Sequence, residues 1–172
     1  MESRPFHYTL LSLVNKPPAE IKFSIFKIAE NETIELSYTY IHSKNLVLYQ
    51  ILSESLTKLD LIIFFDLGQN FDFLEFFEIQ KVCQIQQKRI LVYKIFSFPE
   101  LFMYLMSIDS FLKDCKKKVI IVIDSLNTYI WNDKPKEKML DFVLGERIWA
   151  ILENLKNKYG SINLVCKKSE FQ

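Results

Sequence analysis

Four short, almost uninterrupted apolar runs constrain this chain more than any other feature: LDLIIFFD (Leu59–Asp66), RILVYKI (Arg89–Ile95), VIIVID (Val119–Asp124) and SINLVC (Ser161–Cys166). A strand apolar at every position has two faces to hide, so it needs cover above and below. Parallel sheets meet that need, because the crossover between parallel neighbours lays a helix on one face or the other. The intervening segments have helical periodicity. Phe73, Phe76, Phe77, Val82 and Ile85 predict one helix over Phe71–Gln86. Ser97, with Pro99 in the first turn and Glu100 three residues on, predicts a capping-box start for a second helix. Its apolar face is Leu101, Phe102, Leu105, Ile108 and Leu112. A third helix is predicted over Lys136–Tyr159, with Leu140, Leu144, Ile148, Ile151 and Leu155 as its stripe and Gly160 as its C-terminal cap. The expectation is an α/β fold with a doubly wound, mostly parallel sheet.

A chain of 172 residues fits one domain able to bury a core without staples. The reading is a single domain over 1–172, with an irregular N-terminal segment (1–33) and a core (34–166). In the less regular N-terminal part, IKFSIFKI and TIELSYTYI read as strands and NLVLYQILSESL as a short helix. Three cysteines without metal-ligand spacing, and only two histidines, exclude a Cys/His zinc site built from sequence neighbours. They are read as reduced intracellular thiols. The first residues lack the basic start and clean apolar run of a signal peptide. No stretch reaches the roughly 18 apolar residues of a bilayer span, so no membrane partner is expected. The net charge of +1 leaves nucleic-acid binding open, since a local patch can still be basic.

In an open parallel sheet, ligands sit beyond the carboxyl ends of the strands. Asp66 and Asp124 both end apolar runs there. For phosphate chemistry the edge also needs a glycine-rich loop, a lysine and a hydroxyl. The one segment placed for this is YTYIHSKN (Tyr38–Asn45), in which Lys44 stands where a phosphate lysine would be. Tyr38 and Ser43 occupy the two glycine positions, and Asn45 the magnesium-ligating hydroxyl position. With three glycines in the chain and none in this segment, no phosphate cradle is expected.

TIELSYTYIHSKN, LIIFFDLGQNFDFL and VIIVIDSLNTYIWND, in that order and spacing, resemble the three nucleotide-site segments of the eukaryotic RecA-like recombinase paralogues. The resemblance covers Ile34–Cys166. It is nearest to divergent members without ATPase motifs, including the paralogue subunits of Shu-type recombination-mediator complexes. It implies a truncated RecA-like ATPase core with a degenerate nucleotide site, in which Lys44 and Asp124 are relic positions. Gly68 stands where active members carry the glutamate that activates water. The resemblance also implies that the chain stops where active members continue into a second DNA-contacting loop, and that it lacks their helical N-terminal domain. The implied function is that of a non-catalytic subunit of a heteromeric complex in the nucleus, binding no cofactor. That complex promotes recombinase filament assembly on single-stranded DNA in homologous-recombination repair. Implied partners are another RecA-like paralogue, a SWIM-domain zinc protein, the recombinase, and single-stranded or forked DNA.

Each residue also has a plainer reading. Lys44 reads as a solvated lysine at a helix start, and Asp66 and Asp124 as carboxylates that cap helices or hold loops. Phe26 and Ala29 match a Phe-x-x-Ala spacing used for insertion into a neighbour's sheet edge, or belong to an ordinary strand. Tyr129 and Trp131, with Ile130, follow Asp124 and suit a partner interface or a lid over an empty cavity; base stacking is the less favoured role. Lys134, Lys136, Lys138, Lys167 and Lys168 follow the carboxyl ends of two strands and are candidate DNA contacts. Lys113, Lys116, Lys117 and Lys118 precede a strand and read as a solubility feature. The alternatives to the mediator are two. One is a small metal-dependent α/β phosphohydrolase or nuclease using Asp66 and Asp124, with Asp72 or Asp133 as a third acid. The other is a structural RecA-like subunit of a complex unrelated to DNA.

Overall fold

The computed structural model describes residues 7–9, 33–114, 117–126 and 135–168. Five strands form the body of the sheet: β2 (Thr33–Tyr38), β3 (Leu61–Asp66), β4 (Ile90–Lys94), β5 (Val119–Asp124) and β6 (Ile162–Lys168). A three-residue strand, β1 (His7–Thr9), adds to one edge. The order is β1-β2-β6-β5-β3-β4, and every pairing is parallel. The helices are α1 (Ile41–Lys58), α2 (Phe73–Ile79), α3 (Gln84–Gln87), α4 (Phe98–Asp114) and α5 (Pro135–Tyr159).

Winding direction explains which face each helix covers. From β2 the chain steps across to β3 and outward to β4, then turns back through β5 to β6. Crossovers of one hand put helices on opposite faces when the direction of travel reverses. Accordingly, α1 and α2 pack on one face with Ile62, Phe64, Ile120, Val122 and Leu164. The α4 and α5 helices pack on the other with Ile63, Phe65, Ile121, Ile123 and Val165. Alternation along β3 and β5 splits six buried residues per strand between two cores. This is the doubly wound α/β architecture expected from the sequence, with the sheet wholly parallel over the described strands.

Local chemistry fixes the helix ends. Ser97 Oγ accepts from the Glu100 amide at 3.3 Å, and Glu100 accepts from the Phe96 amide at 2.8 Å, so the predicted capping box forms with its return bond one residue early. Gly160 takes φ 67°, the left-handed C-terminal position where a side chain would be strained. The carbonyls of Leu56, in the last turn of α1, and of Leu59 and Asp60 beyond it all accept from the Arg89 guanidinium. That fork ties α1 to the start of β4. Between α4 and α5, Lys158 Nζ meets Asp109 Oδ1 at 2.8 Å.

One predicted element divides. The helix expected over Phe71–Gln86 breaks at Gln80–Cys83, where Lys81 adopts φ 51°. The apolar spacing across the break comes from Val82 folding into the core while Ile85 stays 76% exposed. Gln87 Nε2 holds the Val82 carbonyl at 3.0 Å, and Gln86 Oε1 accepts from the Cys83 amide at 3.1 Å. These side-chain bonds replace helical ones and stabilise the kink. The predicted strand IKFSIFKI lies outside the described residues. Among the described residues no helix is long and apolar enough to cross a membrane.

Candidate functional site

The period-two alternation of strands builds the site. Tyr38 continues the inward set Ile34 and Leu36, Cys166 continues Ile162 and Leu164, Asp124 continues Ile120 and Val122, and Asp66 continues Ile62 and Phe64. All four therefore reach the α1 face at the carboxyl ends of adjacent strands β2, β6, β5 and β3. Asp66 and Asp124 are direct register partners across β3 and β5.

The segment that the sequence resemblance sets against a phosphate loop is mostly helix. β2 ends at Tyr38 and α1 begins at Ile41, leaving only Thr39 and Tyr40 between them. The helix has absorbed the residues that would form a cradle, and the Lys44 amide already donates to the Tyr40 carbonyl at 3.1 Å. Tyr38 fills the first glycine position with a buried ring, and its hydroxyl shares a 2.6 Å hydrogen bond with Ser125 Oγ. Burial pushes the Tyr38 phenol up to about 12, with the Asp124 charge adding to the effect.

Lys44 overturns its plainer reading. It is not solvated; its side chain is fully buried, and so is that of Asp124, with which it forms an ion pair. The β6 strand separates β2 from β5, so the carboxylate lies about 10 Å from the β2 axis. Only a long cationic side chain from the first turns of α1 spans that gap. The Lys44 ammonium also sits 5.3 Å from the centre of the Tyr38 ring.

The loop after β3 closes the edge from the other side. Leu67 and Gly68 both donate their amides to the Asp124 carbonyl, at 2.6 and 3.1 Å. Gly68, which the sequence resemblance sets against a water-activating glutamate, contributes a backbone bond. The Asp66 carboxylate accepts from the backbone amides of Gln69 and Asn70 and holds its own loop, as one of the plainer readings expected. Asn45, at the hydroxyl position, donates Nδ2 to the Asn70 carbonyl at 2.8 Å. Phe71 packs between Phe64 and Tyr49, whose hydroxyl donates to Glu75 Oε2 at 2.6 Å.

Burial pushes the Asp66 carboxyl above the usual range, and the nearby charge of Asp124 reinforces the shift. Burial acts in the same direction on Asp124, where the Lys44 ammonium opposes it. The Cys166 thiol, buried beside the pair, is pushed well up. One oxygen of each carboxylate, Oδ1 of Asp66 and of Asp124, has no hydrogen-bond partner among the described residues.

The other candidates are dispersed. Lys167 is committed to the fold: it meets Glu35 Oε2 at 2.9 Å and lies over the Trp149 ring at 4.9 Å. Lys168 is exposed at the end of β6. Lys136 and Lys138 fall in the first turn of α5, with their side chains outside the described residues. Phe26, Ala29, Tyr129, Trp131, Asp133 and Lys134 lie outside them altogether. Asp72, the other acid considered for a metal, caps α2 by accepting from the Glu75 amide at 3.0 Å. Among the described residues no three His, Cys, Asp or Glu side chains converge in a group that could hold a metal ion. Sequence reasoning missed the Tyr38–Ser125 bond and the position of Cys166. The signal was available in the parity of Ile34-Leu36-Tyr38 and Leu164-Cys166.

A scan against protein-family models matches none, and a search of curated proteins finds no match.

Two predictions follow from the geometry. Lys44→Met strands a buried carboxylate and costs about 3–5 kcal/mol in denaturant unfolding, whereas Lys44→Met/Asp124→Leu recovers most of the loss. A fully tolerated single variant would contradict the ion pair. The raised Asp66 carboxyl binds a proton more tightly folded than unfolded. Its contribution to stability is therefore full below the ordinary carboxylate range and is lost as pH rises through the folded value. Asp66→Asn removes that loss, so its melting temperature relative to the parent rises from acid to neutral pH. A pH-independent difference would contradict the assignment.

Proposed function

We propose that this chain is a non-catalytic, RecA-like subunit of a heteromeric recombination-mediator complex, acting in the nucleus to promote recombinase filament assembly on single-stranded DNA. The observation that carries the non-catalytic part is the buried Lys44–Asp124 pair beneath a two-residue turn. The three features that phosphoryl transfer requires are a backbone cradle, a metal-holding acid and a water-orienting base. The corresponding positions here are a helix start, an acid neutralised by lysine, and Gly68. An ATPase core with those losses works by binding. The recombination part rests on the resemblance of TIELSYTYIHSKN, LIIFFDLGQNFDFL and VIIVIDSLNTYIWND to the paralogue family. It is supported by the convergence of Lys44, Asp66 and Asp124 on one sheet edge.

In this reading the partners are another RecA-like paralogue, a SWIM-domain zinc protein and the recombinase. Exposed apolar side chains beside the β4 edge, among them Leu74, Ile79, Ile85 and Val92, are compatible with a chain that buries surface in an assembly. The metal-dependent phosphohydrolase reading has less support. Asp72 is used as a cap, and the Lys44 ammonium takes the place a cation would have beside Asp124.

Affinity purification of the tagged protein from its own cells, at low and high salt, tests the proposal. The expected result is a second RecA-like subunit in fixed proportion that survives high salt. Recovery of the chain alone, as a stable monomer, would contradict it. Metal-dependent phosphoester cleavage lost in Asp124→Ala would favour the enzyme instead.

A further inference from the structure

The topology concentrates basic residues at the amino-terminal edge of the sheet, opposite the Lys44–Asp124 pair. Four neighbouring strands, β6, β5, β3 and β4, are each entered through them. Lys156 and Lys158 end α5 before β6, and Lys113 ends α4 before β5. Lys117 and Lys118 lead directly into β5, Lys58 ends α1 before β3, and Lys88 and Arg89 lead into β4. Adjacent strands lie about 4.8 Å apart, so the row runs about 14 Å. An extended single strand spaces its phosphates more widely than the ~3.4 Å of a duplex strand, so it crosses this row with on the order of three phosphates.

Part of the row has an ordinary explanation. Cations complement the carbonyl ends of helices. Lys58 pairs with Glu54, Lys156 with Glu153 and Lys158 with Asp109. Arg89 is spent on the carbonyls beyond α1. The remainder does not reduce to this. Lys88 follows a helix of a single turn, and Lys117 lies in the loop before β5. Both are exposed, without a carboxylate partner among the described residues. Lys113 is in part a helix-end cation of α4, but it is exposed, and the Asp109 near it is already bound to Lys158. Phe111, 48% exposed in the last turn of α4, adds an aromatic ring to the same edge. At the carboxyl edge the cations among the described residues are differently used. Lys44 is buried and Lys167 is tied to Glu35 and Trp149, leaving Lys94 and Lys168 exposed there.

We infer that the amino-terminal sheet edge is the surface on which this chain holds single-stranded nucleic acid. Lys88, Lys113 and Lys117 contact successive phosphates, and Phe111 stacks on a base. The lysine row suits a flexible phosphate chain because an ammonium is a point charge without orientation demands. The exposed ring favours nucleic acid over an acidic peptide, which offers no base to stack. The inference rests on the DNA-binding reading above and moves the contact away from the edge that the lysines after β5 and β6 suggested.

The test is fluorescence anisotropy of labelled oligothymidylate over a salt series, with the full chain, free or in the complex it is purified with. Lys88→Ala/Lys113→Ala/Lys117→Ala should weaken binding on the order of tenfold at low salt. It should also reduce the log–log salt slope by about 2, three contacts at about 0.7 each. Phe111→Ala should weaken binding with the slope unchanged, and Lys94→Ala/Lys168→Ala should bind as the parent does. Each variant is checked for parental melting. If the carboxyl-edge variant alone loses affinity, the surface assignment falls while the DNA reading stands. If the parent binds no oligothymidylate at all, the DNA reading and the inference fall together. Equal competition by polyglutamate would overturn the assignment to nucleic acid.

Discussion

The carboxyl edge of this sheet is organised around one buried ion pair. Two opposite charges with no solvent access are costly to bring together, and each is tolerable only because the other is there. Once Lys44 lies against Asp124, the adjoining structure is constrained. The α1 helix must start early enough to aim the lysine across β6, so the preceding loop shrinks to Thr39 and Tyr40. The Tyr38 ring and Cys166 pack around the pair, and the Leu67–Gly68 amides close over the Asp124 carbonyl. The site is filled by its own side chains.

That filling connects sequence to function through charge. A nucleotide-hydrolysing edge leaves cationic and backbone donors unsatisfied until phosphate arrives. Here the lysine is satisfied internally, the loop amides of Gln69 and Asn70 are satisfied by Asp66, and the amide of Gly68 by Asp124. Such an edge has these donors satisfied from within the fold. Among the described residues, exposed positive charge at this edge is limited to Lys94 and Lys168, and more of it lies at the opposite edge. Lysines at helix ends and strand entrances can stay solvated without cost to the core, and Lys88 and Lys117 there have no carboxylate partner among the described residues.

The sheet and its two cores were legible because apolar runs such as VIIVID leave no alternative to burial on both faces. The helix starts and stops with their own chemistry, at Ser97-Glu100 and at Gly160, were legible for the same reason. The break at Lys81 was hidden, because Val82 and Ile85 keep a helical spacing although only Val82 enters the core. The positions of Asp66 and Asp124 at one edge could be read from strand ends, and so could the loss of glycines beside Lys44. That Lys44 is buried could not. Its partner is 80 residues away, and the pairing depends on β6, the last strand of the sequence, lying between β2 and β5. Lys167 was misjudged for a similar reason, since Glu35 and Trp149 reach it only through the fold.

The central claim is that the carboxyl edge of the sheet is occupied by a buried, mutually neutralised lysine–carboxylate pair, Lys44 and Asp124. Titration calorimetry of magnesium-ATP into the purified chain at millimolar concentration tests it most directly. The account predicts no saturable heat and no change in melting temperature. Saturable binding that disappears in Lys44→Met would mean that the ion pair opens to receive phosphate, and would contradict it.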